Sequence, residues 1–306
     1  MKTLIIIGGS GFFGKIIIDY INSKSYRKWK INKIIIISRK KKTFKLKTKI
    51  NNKLKLIRIF KNILDIKSLP KSDYIIYAVN SKNNSENKKG IINFQNLLKN
   101  HSKQTKILLT SSGSVYGEFS LKKKLKESQK INYEKLNSLK GYKKNYAKTK
   151  IFMEKTFFLL GREKFNVSIA RCFTFIGSRI LNKKNYAISS FINQAMNNKS
   201  IFVKSKIKSY RSYMYVDDLA EWLLNILKKS NPSCPIYNVG SDKPYSLDKI
   251  ASILSKIFKK PIISSYKKSN LTEYYVPSIL KAKNELGLRI KYSLKESINL
   301  TVKSLK

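Results

Sequence analysis

The sequence predicts an α/β protein, a doubly wound parallel sheet followed by a smaller mixed lobe towards the C-terminus. Three observations carry that prediction. Short, almost uninterrupted aliphatic runs recur through the first half of the chain, as expected of strands buried on both faces. The stretches between them carry apolar residues at helical spacing, the alternation that builds parallel α/β sheets. From about residue 178 the texture changes to shorter, less regular elements.

Taken in order, strands are expected at Thr3–Ile7, Lys33–Ser38, Lys55–Phe60, Tyr74–Val79 and Lys106–Thr110, and a further one at NVSIARCF, residues 166–173. Helices are expected at FFGKIIIDYINSK and GIINFQNLLKNHSK, then at GYKKNYAKTKIFMEK, DDLAEWLLNILKK and SLDKIASILSKIF. The asparagine-rich NSKNNSENKKG, residues 80–90, reads as a loop or mobile lid. The implied division is 1–177 for the sheet domain and 178–306 for the lobe, with about 214–230 packing back on the first. No internal repeat or linker-like tract interrupts it.

Composition excludes more than it proposes. A chain of 306 residues with 42% hydrophobic content is large enough for a packed core. No apolar run reaches bilayer-spanning length, so a soluble protein without membrane association is expected. The opening MKTLIIIGGSGFFG faintly imitates a signal peptide, but its regular glycines and lack of a small-residue cleavage site argue otherwise. The net charge of +48 suggests nucleic acid at first sight. Nearly all of it is lysine, however, spread evenly, with arginine only at 27, 39, 58, 162, 171, 179, 211 and 289. Isoleucine and asparagine are inflated with it, as an A+T-rich coding sequence would produce, and no nucleic-acid partner is expected. One histidine, His101, and two cysteines, Cys172 and Cys234, leave no material for a structural zinc site or a histidine-based triad. They give no disulfide framework either, which fits a reducing cytoplasm. Proton transfer must fall to tyrosine, lysine or carboxylates.

In LIIIGGSGFFG, Gly8, Gly11 and Gly14 follow the first strand and open a helix. A sharp turn of this kind lets a pyrophosphate approach backbone N–H groups at the helix start, which predicts dinucleotide binding. The second strand ends in IIIISRKKK, where an acidic residue would hold the ribose hydroxyls of NAD. Ser38 and Arg39 stand there instead, and a hydroxyl and a guanidinium favour NADP(H), with NAD(H) the alternative. Asp65, after the third strand, is placed either to accept from the adenine amino group or simply to cap its loop.

Tyr146 lies four residues before Lys150, but so do three other tyrosines before theirs: Tyr20, Tyr26 and Tyr245. Roughly three such pairs are expected by chance in so lysine-rich a chain, so context must decide. LLTSSGSVYGE follows a strand, YAKTK follows on a helix, and RSYMYVDDLA precedes YNVGSDKPYSLDKIASIL. With the glycine loop, and through YVPSILKAKNELGL near the end, these segments make the chain resemble the extended short-chain dehydrogenase/reductase family, the nucleotide-sugar epimerases, dehydratases and 4-keto reductases with a Rossmann sheet. The resemblance implies Ser112, Tyr146 and Lys150 as a catalytic trio. It implies a cofactor site of Gly8, Gly11, Phe12, Phe13, Gly14, Ser38, Arg39, Asp65, Ile66, Ala78 and Val79 with Tyr146 and Lys150. Substrate contacts fall on Ser114, Thr174 and Arg211, and Asn238 in YNVG either meets the substrate lobe or is structural. No metal is implied. A homodimer through paired helices is common in the family, and the sequence leaves it open.

The departures narrow the expected reaction. The acid pair that dehydratases carry after the catalytic hydroxyl is replaced by Gly113 and Ser114, which argues against 4,6-dehydration. The family's Asn-x-x-Gly-Pro reads Thr174-Phe175-Ile176-Gly177-Ser178, and its usual small residue after the fourth strand is Val79. The expected function is therefore hydride transfer at C4 of a nucleotide-activated sugar, as a 4-keto-sugar-nucleotide reductase, with a 4-epimerase resembling UDP-glucose 4-epimerase as the alternative. Polysaccharide biosynthesis is the setting the resemblance implies. A non-catalytic dinucleotide-binding protein with a basic RNA- or partner-binding surface is the distant rival.

Overall fold

The computed structural model describes residues 2–39, 46, 49–81, 83–117, 123–181, 187–205, 207–266 and 272–305. Six strands open the sheet: β1 (Lys2–Ile7), β2 (Ile31–Ile37), β3 (Lys55–Ile59), β4 (Tyr74–Tyr77), β5 (Lys106–Ser112) and β6 (Asn166–Cys172). A seventh, β7 (Ile236–Val239), completes the order β7-β6-β5-β4-β1-β2-β3. The pairings in register include Leu4 with Ile34 and Tyr74, Ile34 with Leu56, and Tyr74 with Lys106, all parallel. The order reverses at β1, between β2 and β4, which is where such sheets hold ligands. The aliphatic runs are explained by double burial: Ile5, Ile35, Ile75 and Ile107 sit in one core cluster with Phe94 and Phe157 from the covering helices. β3, at the edge, reads differently, exposing Lys55 and Arg58.

Among the covering helices are α1 (Phe12–Tyr20), α2 (Asn84–Leu98), α3 (Gly141–Arg162) and α4 (Val216–Lys228). α1 runs on through a π-helical turn at Ile21–Ser25 into a short helix ending at Trp29. The loop or lid expected at 80–90 is corrected by the structure, because α2 begins inside it. The Asn83 side chain accepts from the N–H groups of Ser85 and Glu86, an N-cap that starts the helix despite its polar sequence. β5 runs two residues beyond its expected end and β4 stops two short.

The chain divides into two compact units, 1–115 with 139–172 and 220–237, and 116–138 with 173–219 and 238–306. The second unit is mixed. It holds a two-stranded parallel pair (Ile201–Ser205 with Ile262–Tyr266) and a three-stranded sheet of Tyr245–Ser246, Lys208–Arg211 and Thr272–Tyr275. The helices Ala187–Asn197 and Leu247–Phe258 bury one face each, through Phe191 and Ile192 and through Ile250 and Leu254. Among the described residues no helix is long and apolar enough to cross a membrane.

Candidate active site

The glycine loop is built for close approach. Gly8 has φ +87°, and a Cβ there would lie 2.6 Å from the Ala78 carbonyl oxygen and 3.1 Å from the Val79 nitrogen. A Cβ on Gly14 would lie 2.2 Å from the Gly9 oxygen, so helix and strand could not approach as they do. Gly11 is the N-cap of α1, with no side-chain cap and no acidic residue in the first turn. The N–H groups at that helix start are oriented to receive an anion. Gly8 donates to the Ile37 carbonyl at 2.8 Å and Ala78 to Ile7 at 2.8 Å, while the hydroxyls of Ser10 and Ser38 are hydrogen-bonded. Gly8, Gly11, Gly14, Ser38, Ala78 and Val79 are thereby brought together at the reversal point of the sheet. Phe12 and Phe13 pack edge to face at 5.3 Å in the first turn. These residues fit the pyrophosphate of a dinucleotide.

Other expected cofactor residues stand less simply. Ile66 is a core residue, and Asp65 is exposed on a 3-10 turn capped by Asn62. Arg39 is ion-paired with Glu86 of α2, a partner that its local sequence does not suggest.

The three residues expected to form the trio lie on α3 and at the end of β5. Ser112 closes β5, opposite Cys172 of β6, and its Oγ accepts from the Ser114 N–H at 3.2 Å. Lys150 is 3% exposed and donates from Nζ to the Thr110 carbonyl at 3.0 Å, pinning α3 to the end of β5. Tyr146, one turn earlier, is half-buried, with its ring centroid 5.8 Å from that Nζ and stacked on Tyr142 at 5.8 Å. One turn beyond Lys150, buried Glu154 accepts from Ser111 Oγ at 2.5 Å and from Arg171 Nη2 at 2.8 Å and Nε at 3.1 Å. In the sequence this buried ion pair shows only as a lone arginine inside the apolar run NVSIARCF.

Burial pushes the Lys150 ammonium down to about 8 from 10.5, against the opposing pull of Cys172 and Glu154. The sign of the consequence follows from proton binding. Below pH 8 both folded and unfolded states hold the proton, and the native state carries the full burial penalty. Between about 8 and 10.5 the unfolded chain binds more protons, so stability rises with pH. The unfolding free energy of the protein minus that of Lys150→Met is expected to climb by about 3 kcal/mol across this window in urea titrations. A flat difference would show that the amine is not shifted.

Of the expected substrate residues, Ser114 has its Oγ buried with no hydrogen-bond partner among the described residues. Thr174 and Arg211 belong to the second unit. Thr174 is buried and its carbonyl accepts from Met214 at 3.1 Å. Arg211 is ion-paired with Glu273 at 2.7 Å and lies over the Tyr275 ring. Asn238 is structural: its amide donates to the carbonyls of Leu125 at 2.9 Å and Ser278 at 3.2 Å, and its oxygen accepts from Tyr116 at 2.9 Å. Among the described residues no cluster of His, Cys, Asp and Glu is suited to a metal ion.

A sheet of this order, with a glycine loop at its reversal point and a Tyr-Lys helix beside a serine-bearing strand end, defines the class, and residues 4–240 match the sequence profile of the NAD dependent epimerase/dehydratase family. The chain belongs to that family. It is 27% identical over 198 residues to UDP-glucuronic acid decarboxylase 6 of Arabidopsis thaliana, covering 64% of this chain and 56% of the relative. It is 29% identical over 147 residues to UDP-glucuronic acid decarboxylase 1 of Xenopus tropicalis, covering 46% and 34%. The matched stretch thus spans a little more than half of the first relative's length and about a third of the second's. Two solved structures share the fold over 99% of this chain. dTDP-glucose 4,6-dehydratase of Bacillus anthracis, in complex with NAD, has a TM-score of 0.79 at 16% identity, with 96% of it covered. UDP-glucose 4-epimerase of Thermotoga maritima, with UDP-glucose, has a TM-score of 0.77 at 17% identity, with 98% covered.

Proposed function

We propose that the protein is an NAD(P)-dependent enzyme of nucleotide-activated sugars that works by hydride transfer at sugar C4. The observation that carries this reading is Tyr146 one helical turn from a buried lysine whose Nζ is fixed on the Thr110 carbonyl, at the strand end that presents Ser112. When bound, the nicotinamide ring supplies the hydride acceptor. Tyr146 takes the proton from the C4 hydroxyl, and Ser112 hydrogen-bonds the same oxygen. A free phenol titrates near 10, too high for a base at neutral pH, and the nearby Lys150 ammonium favours the phenolate. Arg211 is the candidate for the diphosphate, and Ser114 and Thr174 are candidates for further substrate contacts, as the family resemblance implies.

The sequence inclined towards a 4-keto reductase drawing on NADPH because of Ser38 and Arg39. With Arg39 held by Glu86, that argument loses its cation. A catalyst that keeps NAD through each cycle, the 4-epimerase alternative, is then the better-supported form. The activity in the relatives' names extends it: in a uronic acid sugar a C4 ketone lies β to the carboxylate, so the same first step would allow carbon dioxide to leave. No acid pair stands beside Ser112 to eliminate water, Gly113 and Ser114 filling those positions. The test is to incubate the protein separately with UDP-glucose and UDP-glucuronic acid and identify the products, with released dinucleotide identified after denaturation. Expected are a 4-epimer or a decarboxylated pentose, and bound NAD. Loss of water from the sugar would overturn the exclusion of dehydration, and no redox turnover on any nucleotide sugar would overturn the proposal.

A further inference from the structure

We infer that Glu86, on α2, decides this protein's choice between NAD and NADP, and decides it for NAD. The inference rests on the dinucleotide reading above. In sheets of this type the residue at the end of the second strand meets the adenosine ribose, where an acid holds the 2′-hydroxyl or an arginine the 2′-phosphate. The local chain offers Ser38 and Arg39. Ser38 is hydrogen-bonded to Ser10 of the glycine loop, so this strand end lies against the loop.

Arg39 is not left to a phosphate. Its Nη1 donates to Glu86 Oε1, a partner 47 residues away in sequence. The carboxylate is fixed from other sides too: Ser81 Oγ donates to Oε2 at 2.5 Å and Asn62 Nδ2 to Oε1 at 3.0 Å. Its backbone N–H donates to Asn83 Oδ1 at 3.2 Å, in the first turn of α2, where the helix dipole favours a negative group. The Ser81 hydrogen bond, followed by those of Asn62 and the charge of Arg39, holds the carboxyl below the usual carboxylate range. Thus the residue that would replace the missing acid, Arg39, carries an acid from a different element at its tip. A carboxylate there accepts from ribose hydroxyls and repels a 2′-phosphate carrying nearly two negative charges. Arg39 could reach that phosphate only by giving up its ion pair with Glu86.

Fluorescence titration with NADH and NADPH tests this without turnover. The wild-type protein is expected to bind NADH at least about tenfold more tightly. Glu86→Gln keeps the shape and the acceptor for Ser81, and should move the affinity ratio towards NADPH by about tenfold, one charge-assisted hydrogen bond's worth. Adding Arg39→Ala to Glu86→Gln should erase that gain. Tighter NADPH binding by the wild type, or an unchanged ratio in a folded Glu86→Gln, overturns the inference. Should Glu86→Gln fail to fold, the wild-type ratio decides alone. Absence of binding by either nucleotide would instead sink the dinucleotide reading itself, an outcome distinct from an unchanged ratio.

Discussion

Tyr146→Phe is expected to lower kcat on the competent nucleotide sugar by about three orders of magnitude, within the range for losing a positioned acid–base group, while dinucleotide affinity stays close to wild type. The substitution removes one oxygen and keeps the ring, so the stack on Tyr142 and the helical path to Lys150 persist. Loss of turnover without loss of binding is the signature of a group used in the chemical step rather than in holding ligands. Steady-state kinetics beside NADH titration separate the two. If turnover survives, the proton passes elsewhere and the trio is misassigned. If no wild-type turnover exists to lose, and binding to an anionic partner disappears in about 0.5 M salt, the basic surface is the working part instead.

The second large effect is on stability. Glu154→Ala strips a carboxylate from a buried guanidinium that it holds through Nε and Nη2, and from Ser111. Breaking one side of a buried pair costs roughly 3–5 kcal/mol, because the remaining charge stays desolvated. Replacing both members with apolar residues, Glu154→Leu with Arg171→Met, should recover most of that loss, since the burial cost of the charges disappears with them. Urea unfolding midpoints measure both. A single variant that unfolds like wild type would mean that water reaches Arg171, contrary to its burial.

Much of the fold was legible because double burial writes itself into composition: strands covered on both faces become isoleucine runs such as Leu4–Ile7 and Ile34–Ile37. The glycine loop was legible for a related reason, since the close contacts at Gly8 and Gly14 admit no side chain. What escaped were interactions whose halves are distant in sequence. Arg39 looked ready for a phosphate because Glu86 is nowhere near it along the chain, and the Glu273 partner of Arg211 is just as remote. The start of α2 escaped for the opposite reason: a run of asparagines suggests coil, while one of them, Asn83, is the cap that begins a helix.

The order in which the sheet is completed bears on how the protein is made. One of its two edge strands, β7, is made only after residues 173–219 of the other unit, and it closes onto β6 through bonds such as Ile169 N–H to Pro235 O at 3.0 Å. At translation speeds of about 5–20 residues per second, roughly 3–13 s pass between synthesis of β6 and arrival of its neighbour. During that interval a nascent chain displays an apolar strand edge open to pairing with any other chain. Heavy overexpression at high growth temperature should therefore favour insoluble product, and slower synthesis should favour the native protein.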